Sequence, residues 1–437
     1  MDYLPNVIFA IALLLGIGFF VSNVLKLARN IKLGKDLDRS DNKPERWKNM
    51  ARIALGQSKM VSRPIAGFLH IVVYIGFIVI NIEVLEIIID GLFGTHRVFQ
   101  PLLGNSIYGF LIGTFEILAF LVLVAVIIFW LRRNIVQLKR FMSKEMKGWP
   151  KNDGNLILYF EIVLMSLFIL MNATDDSFQQ TGFGNPISQF VAPWFSEYPD
   201  ETLSSIEHTA WWAHIIGILI FLNYLYYSKH LHILLAFPNT FYANLQPKGQ
   251  FNNLSSVTKE VRMMMDPDAD PYAMPEEGAE EEIPEKFGAS DVTDLNWVQL
   301  LNAYTCTECG RCTSSCPANM TGKELSPRAI MMKTRDRLEE VGRNIDSNKG
   351  TFKDDGKQLL NDYITPEELW ACTSCNACVE ECPIDIDPLS IIMDMRRFLV
   401  MEQSAAPQEL NMMMTNIENN GAPWQYNQQD RLNWKDE

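Results

Sequence analysis

The pattern of apolar and polar positions divides the chain at about residue 240. Ahead of that point lie five apolar runs, at residues 7–27, 64–92, 106–131, 156–171 and 208–237, and each approaches the roughly 20 residues that cross a bilayer as a helix. Behind it the chain turns polar and shows helix-opening signals. Asp294 stands ahead of a helical pattern over 295–304, Ser326-Pro327 opens one to about 341, Thr365-Pro366 opens one that runs towards 372, and Asp387-Pro388 opens one to about 400. The last three pair an N-cap side chain with a proline at the first helical position, where its missing N–H costs nothing. The expected fold class is all-α, a five-helix transmembrane bundle over 1–240 followed by a helical domain over 291–402. Between them, 241–290 includes a Pro, Met and Glu rich stretch, 266–285, that reads as a solvated linker or a docking strip. Residues 403–437, rich in Asn, Gln and Met with Trp424 and Trp434, read as a polar tail, with partner docking as the second reading.

Charge orients the bundle. Asp2 precedes the first run and Lys26, Arg29, Lys32 and Lys35 follow it, the reverse of a cleaved leader, so an uncleaved first helix with its N-terminus outside is expected. The segments 26–63 and 132–151 are dense in Lys and Arg, 91–105 has Arg97 alone, and 172–207 has neither residue. Cytoplasmic loops carry the basic residues, so five spans of an inner membrane protein would place the helical domain in the cytoplasm. The formal net charge of -14 removes nucleic acid as a partner, because phosphate binding needs a basic face.

All eight cysteines lie in two copies of one run: Cys306, Cys309, Cys312, Cys316-Pro317 and Cys372, Cys375, Cys378, Cys382-Pro383. Zinc sites usually use two spaced pairs or mixtures with His, and disulfides need an oxidising compartment, so neither suits two identical runs of four facing the cytoplasm. The run C-x2-C-x2-C-x3-C-P resembles that of the bacterial two-cluster ferredoxins, where the fourth cysteine ligates the other cluster. That resemblance implies one 4Fe-4S cluster on Cys306, Cys309, Cys312 and Cys382, and a second on Cys372, Cys375, Cys378 and Cys316. A compact ferredoxin joins its runs through short hairpins, whereas the 55 residues between Cys316 and Cys372 carry a helical pattern. The domain therefore resembles the all-helical ferredoxins of the iron-sulfur subunits of succinate dehydrogenase and heterodisulfide reductase.

Four of six histidines, His208, His214, His230 and His232, lie in or beside the fifth run, and His70 lies near the cytoplasmic end of the second. Two imidazoles at one depth on facing helices would hold a haem b. In a continuous helix the 18 residues from His214 to His232 make five turns, so both share a face, while His230 points elsewhere. His70 with His232 is the expected inner pair, with His230 as runner-up. Five spans with His70, Trp211-Trp212-Ala213-His214 and Ser228-Lys229-His230-Leu231-His232 resemble the cytochrome b (gamma) subunit of respiratory nitrate reductase. That family has a second histidine ten residues after the first, where this chain has Ile80. His214 is left to pair with His96, to hydrogen-bond a quinone, or to be buried on a backbone partner. Glu83, Glu86, Glu116 and Glu161 sit in or at the edges of spans, as proton carriers for a quinone or as partners of basic residues.

Taken together, the chain resembles a fusion of the cytochrome b and ferredoxin subunits of the heterodisulfide reductase type, and most resembles the membrane iron-sulfur oxidoreductases that pass electrons from electron-transfer flavoprotein to menaquinone. The resemblance implies two 4Fe-4S clusters, haem b, menaquinone as substrate, and an electron-transfer and membrane-anchor role. Those relatives also carry a cysteine-rich CCG domain, for which no cysteine is left here, and no Gly-rich dinucleotide fingerprint follows a strand. Substrate chemistry is therefore expected on a soluble CCG-domain or flavoprotein subunit. A heterodisulfide or sulfur-compound reductase subunit, and a redox sensor or assembly factor without enzymatic activity, are the alternative readings.

Overall fold

The computed structural model describes residues 3–267 and 286–436; most of the acidic stretch read as a linker lies outside them. Among the described residues the elements are helical, with two isolated bridges and no strand. Five helices are long and apolar enough to cross a membrane: α1 (Leu4–Ile31), α3 (Pro64–Phe93), α4 (Phe99–Asn134), α5 (Trp149–Thr174) and α6 (Asp200–Tyr224). A short helix, α2 (Lys43–Met50), lies between the first two. The spans touch in the cyclic order α3, α4, α5, α6, α1 and back to α3, so each presents one stripe to two neighbours. Their outward residues, among them Leu14, Phe68, Ile75 and Phe110, are exposed apolar side chains of the kind that face lipid.

Two spans depart from the apolar pattern. Gly104 has φ 75° and ψ 155°, a conformation open to glycine, and kinks α4 near its start. More consequential is the fifth span, expected as one helix over 208–237. Here α6 begins at Asp200, where Pro199 caps it and Asp200 and Glu201 fill the first turn, and it ends at Tyr224. A 3-10 turn over Leu225–Tyr227 leads to Ser228 in extended backbone (φ -117°, ψ 146°), and α7 restarts over His232–Phe241. Asp153 near the start of α5 causes the break: one carboxylate oxygen accepts the Tyr224 hydroxyl at 2.6 Å and the other the Lys229 N–H at 3.2 Å. The Lys229 amide is thereby taken out of the helical ladder.

In the polar part α8 (Trp297–Thr305) precedes the first cysteine run, α9 (Pro327–Ser347) fills the spacer, and α10 (Pro388–Met401) follows the second run. Ser326, Thr365 and Asp387 cap the helices expected of them, accepting from the N–H of Ala329, Glu368 and Ser390. Asp294 does not cap α8; Asn296 does, in a reciprocal box with Gln299, while Asp294 binds Lys286 at 2.6 Å. Asn fits there because its short side chain reaches two free N–H groups at once. The polar tail carries an exposed helix, Gln408–Asn420.

The polar part is seated on the bundle. One core cluster runs from Leu27, Phe115 and Phe168 through Leu231 to Leu300, Met331 and Met395. At the seam Asn30 donates to Tyr304 at 3.0 Å, Asn239 to the Ile384 carbonyl at 2.7 Å, and Asn302 to Asn239 at 3.1 Å. Gly342 of α9 lies so close to Asn30 of α1 that a Cβ there would collide with it.

Candidate electron-transfer site

The two cysteine runs repeat one backbone conformation. Glu308 and Ser374, each two residues after the first cysteine, have φ of 54° and 58°, and Gly310 and Asn376, two further on, have φ of 72° and 59°. These left-handed turns curl each loop back on itself, and a short helix then carries the third cysteine. The curl turns N–H groups towards sulfur: Ser374 N–H lies 3.4 Å from Cys372 Sγ and Ile386 N–H 3.3 Å from Cys382 Sγ. Such donors stabilise charge on cluster sulfurs.

Cys306, Cys309, Cys312, Cys378 and Cys382 line one small cavity together with Pro383, Ile384 and Ile386. Cys382 feels the charges of Cys309 and Cys306, whereas Cys372 and Cys378 each feel Cys316. The last cysteine of each run lies near cysteines of the other. Burial pushes the Cys306 thiol up to about 11 and the Cys378 thiol to about 12, so metal must displace protons when it binds. Cys375 is exposed, while Cys306, Cys316, Cys378 and Cys382 are buried.

The first run faces the bundle. Lys59 donates to the Cys382 carbonyl at 3.3 Å and to Asp385 at 2.7 Å, and Arg311 reaches the Lys59 carbonyl at 2.9 Å. Below this contact the rings of His70 and His232 lie 6.5 Å apart between centroids. Two imidazoles on opposite sides of one metal, with bonds of about 2 Å, have ring centres roughly 6 Å apart, so the pair fits bis-histidine ligation. The Nδ1 of His232 lies 3.1 Å from the Lys229 carbonyl, which fixes the tautomer with the proton there and leaves the Nε2 lone pair free for a metal. His70 Nδ1 is buried with no hydrogen-bond partner among the described residues.

Helical phase is not what brings His232 to His70, because the helix is broken at Ser228 between His214 and His232. His230 belongs to the same group, 5.5 Å from His232 between ring centroids and packed on Phe221. His214 packs on Phe168 of α5 and its ring meets the Leu164 backbone. His96, 58% exposed, lies beside Asp175 and Glu207 instead of His214.

Sequence reasoning missed the buried charges that join the two groups. Lys229, next to His230, forms an ion pair with Glu308, which lies inside the first cysteine run; Arg335 binds the other oxygen of Glu308 at 2.9 Å. Both side chains of the Lys229–Glu308 pair are under 10% exposed. Since the Lys229 carbonyl also orients His232, one residue links the candidate haem ligand to the cysteine loop. The available signal was a glutamate between two closely spaced cysteines and a lysine between a helix end and two histidines.

Comparison with known proteins bears on the cysteine domain. Residues 305–386 match the model of the 4Fe-4S dicluster domain. The chain is 29% identical, over 98% of its length and 60% of the other's, to a probable iron-sulfur-binding oxidoreductase, FadF, of Bacillus subtilis. It is 25% identical, over 92% of its length and 55% of the other's, to an EtfAB:quinone oxidoreductase of Syntrophomonas wolfei. Over 25% of its length it is 31% identical to one of the subunits of a ferredoxin/F(420)H(2)-dependent CoB-CoM heterodisulfide reductase of Methanosarcina acetivorans, covering 53% of that protein. The chain thus spans little more than half the length of the first two. No solved structure matches. Residues 305–386 are thus similar to a 4Fe-4S dicluster domain, and in this chain they follow five apolar helices long enough to cross a membrane.

Proposed function

We propose that the chain passes electrons between a soluble partner and menaquinone in the membrane. Cys306, Cys309, Cys312 and Cys382 would hold one 4Fe-4S cluster, Cys372, Cys375, Cys378 and Cys316 the second, and His70 with His232 a haem b. Bound, these groups supply one-electron carriage. The observation that carries the reading is the His70–His232 pair directly under the cysteine domain, tied to its first run through Lys229 and Glu308.

The residues divide the work by position. Exposed Cys375 marks the side open to a soluble donor or acceptor. Lys59 ties the end of the second run to the bundle, Arg311 ties the first run to it, and Lys229 holds the His232 ring through its carbonyl. The basic loops 26–63 and 132–151 support a cytoplasmic cysteine domain. The similarity to a protein named EtfAB:quinone oxidoreductase supports quinone, and an electron-transfer flavoprotein or CCG-domain subunit, as the partners. The likeness to the heterodisulfide reductase type covers a quarter of the chain and supports the ferredoxin part alone.

The test is reoxidation. Dithionite-reduced protein mixed with a menaquinone analogue should be reoxidised, and His70→Ala should slow that step while its iron-sulfur centres still reduce. Equal rates in wild type and variant would overturn the route through the histidine pair.

A further inference from the structure

The four intramembrane carboxylates were indistinguishable in sequence, but the structure separates three of them by what they bind. Glu116 is fully engaged: one oxygen accepts from Asn172 at 3.1 Å, the other from the N–H groups of Ile187 and Ser188 at 2.9 and 3.0 Å. Glu86 accepts the Phe99 N–H at 2.9 Å and the Tyr108 hydroxyl at 3.0 Å. Glu83, 3% exposed, keeps one carboxyl oxygen with no hydrogen-bond partner among the described residues. A buried carboxylate without a partner is costly, whereas the protonated acid avoids burying a charge.

Its place in the fold is specific. Lys59 and Arg63, just before α3, pair with Asp385 and Glu381 of the cysteine domain, so α3 starts beside that domain. Glu83 lies 19 residues along α3, roughly 28 Å from its start, and therefore in the half remote from the clusters. Val84 and Ile87 of α3 pack with Trp211, Ile215 and Ile216 of α6, which brings His214 to the same level. His214, 1% exposed and set against the Leu164 backbone, lies at the level of the unmatched Glu83 oxygen.

From Glu83 a line of polar groups leads outward to the remote end. Glu86, one turn on, meets Tyr108; Arg97 donates to Tyr108 at 3.2 Å and to Asp175 at 2.7 Å; Asp175 lies 3.5 Å from the exposed His96. Arg97 keeps its own protons and fixes the positions of its neighbours.

We propose that Glu83 is the proton-carrying carboxyl for quinone turnover, and that it exchanges protons with water at the end of the bundle remote from the cysteine domain. This rests on the electron-transfer reading above. Quinone takes up two electrons, in single steps from the protein's carriers, and two protons to become quinol. Glu83 gives one proton to a quinone oxygen, is left as carboxylate, is reprotonated by water entering on the Glu86 side, and then gives the second proton in the same way.

Glu83→Gln should lower the rate of quinol formation on the order of a hundredfold, the usual share of a positioned acid. Reduction by dithionite and the haem and iron content should be unchanged, and Glu83→Asp should recover part of the rate. Infrared difference spectra of the wild type should contain a protonated-carboxyl band that shifts in heavy water and is missing in Glu83→Gln. In proteoliposomes with the cysteine domain outward and dithionite outside, quinol formation should make the lumen alkaline. A wild-type rate in Glu83→Gln, a rate loss matched by loss of haem or iron, or proton uptake from the cysteine-domain side would overturn the proposal. If quinone fails to oxidise the wild type, the electron-transfer reading fails and the role in turnover with it, while the carboxyl band, read in the same samples, still reports whether Glu83 is the buried acid.

Discussion

At the scale of single residues, the seam between bundle and cysteine domain is made by a few buried charges with complete partners. Arg328 is the clearest. It donates to the Arg140 carbonyl, to Ser143 and to Glu145, each at 2.7 Å, and its side chain is 1% exposed. Arg328→Ala would leave Glu145 without its partner in a half-buried site, and breaking such a pair costs about 3–5 kcal/mol where burial is complete. A fall of the thermal unfolding midpoint, with cluster content intact at low temperature, is expected. Gly310 is fixed by the same arginine, since its φ is 72° and a Cβ there would run into the guanidinium. Gly310→Ala should lower stability by about 1–3 kcal/mol, measured by denaturant titration of the holoprotein, and more than Asn376→Ala at the equivalent, more open position of the second run. For the histidines, His70→Ala and His232→Ala should each abolish the b-type spectrum and His230→Ala should leave it. Loss in His230→Ala with retention in His232→Ala would exchange their roles.

The element that decides the site is the break between α6 and α7. Ser228 caps the restart locally, its hydroxyl accepting the His230 N–H at 3.1 Å, but the carboxylate that draws Tyr224 and the Lys229 N–H aside belongs to another span. Replacing Asp153 by leucine removes both acceptors, for Tyr224 and for the Lys229 N–H. Haem content should then fall while the iron-sulfur content holds, read by visible absorbance against non-haem iron. Equal loss of both would show that Asp153 supports the fold as a whole and not the local turn. Legibility in the sequence followed the same division. The caps at Ser326, Thr365 and Asp387 were readable because capping is local, an oxygen and an N–H three residues apart. Asp294 was misread because two side chains within reach competed for one helix start, and Lys286 drew it away.

For the molecule as a whole, bundle and cysteine domain form one packed body, so acid should loosen them together. Burial alone would raise the Glu145 carboxyl, but the Arg328 hydrogen bond and charge hold it below its ordinary 4.5. Asp355 is likewise lowered from 3.8, chiefly by the Arg337 hydrogen bond. A carboxylate lowered on folding contributes stability above its unfolded pKa and loses it as pH falls through the folded value. The unfolding midpoint should therefore hold from neutrality to about pH 5 and decline below it, and Arg328→Met should flatten that decline.

The sequence by itself determined the five spans, the helical class, the two cysteine runs and the candidate ligand His70, because hydropathy, period and close spacing are properties of a contiguous stretch. Tertiary structure alone decided where the fifth span breaks, which intramembrane glutamates are engaged by neighbours, and that Lys229 and Glu308 join the histidines to the first run. Each of these is a contact between residues far apart in the chain. A buried charge or an unmatched carboxyl is defined by what surrounds it, and the surroundings exist only once the helices have packed.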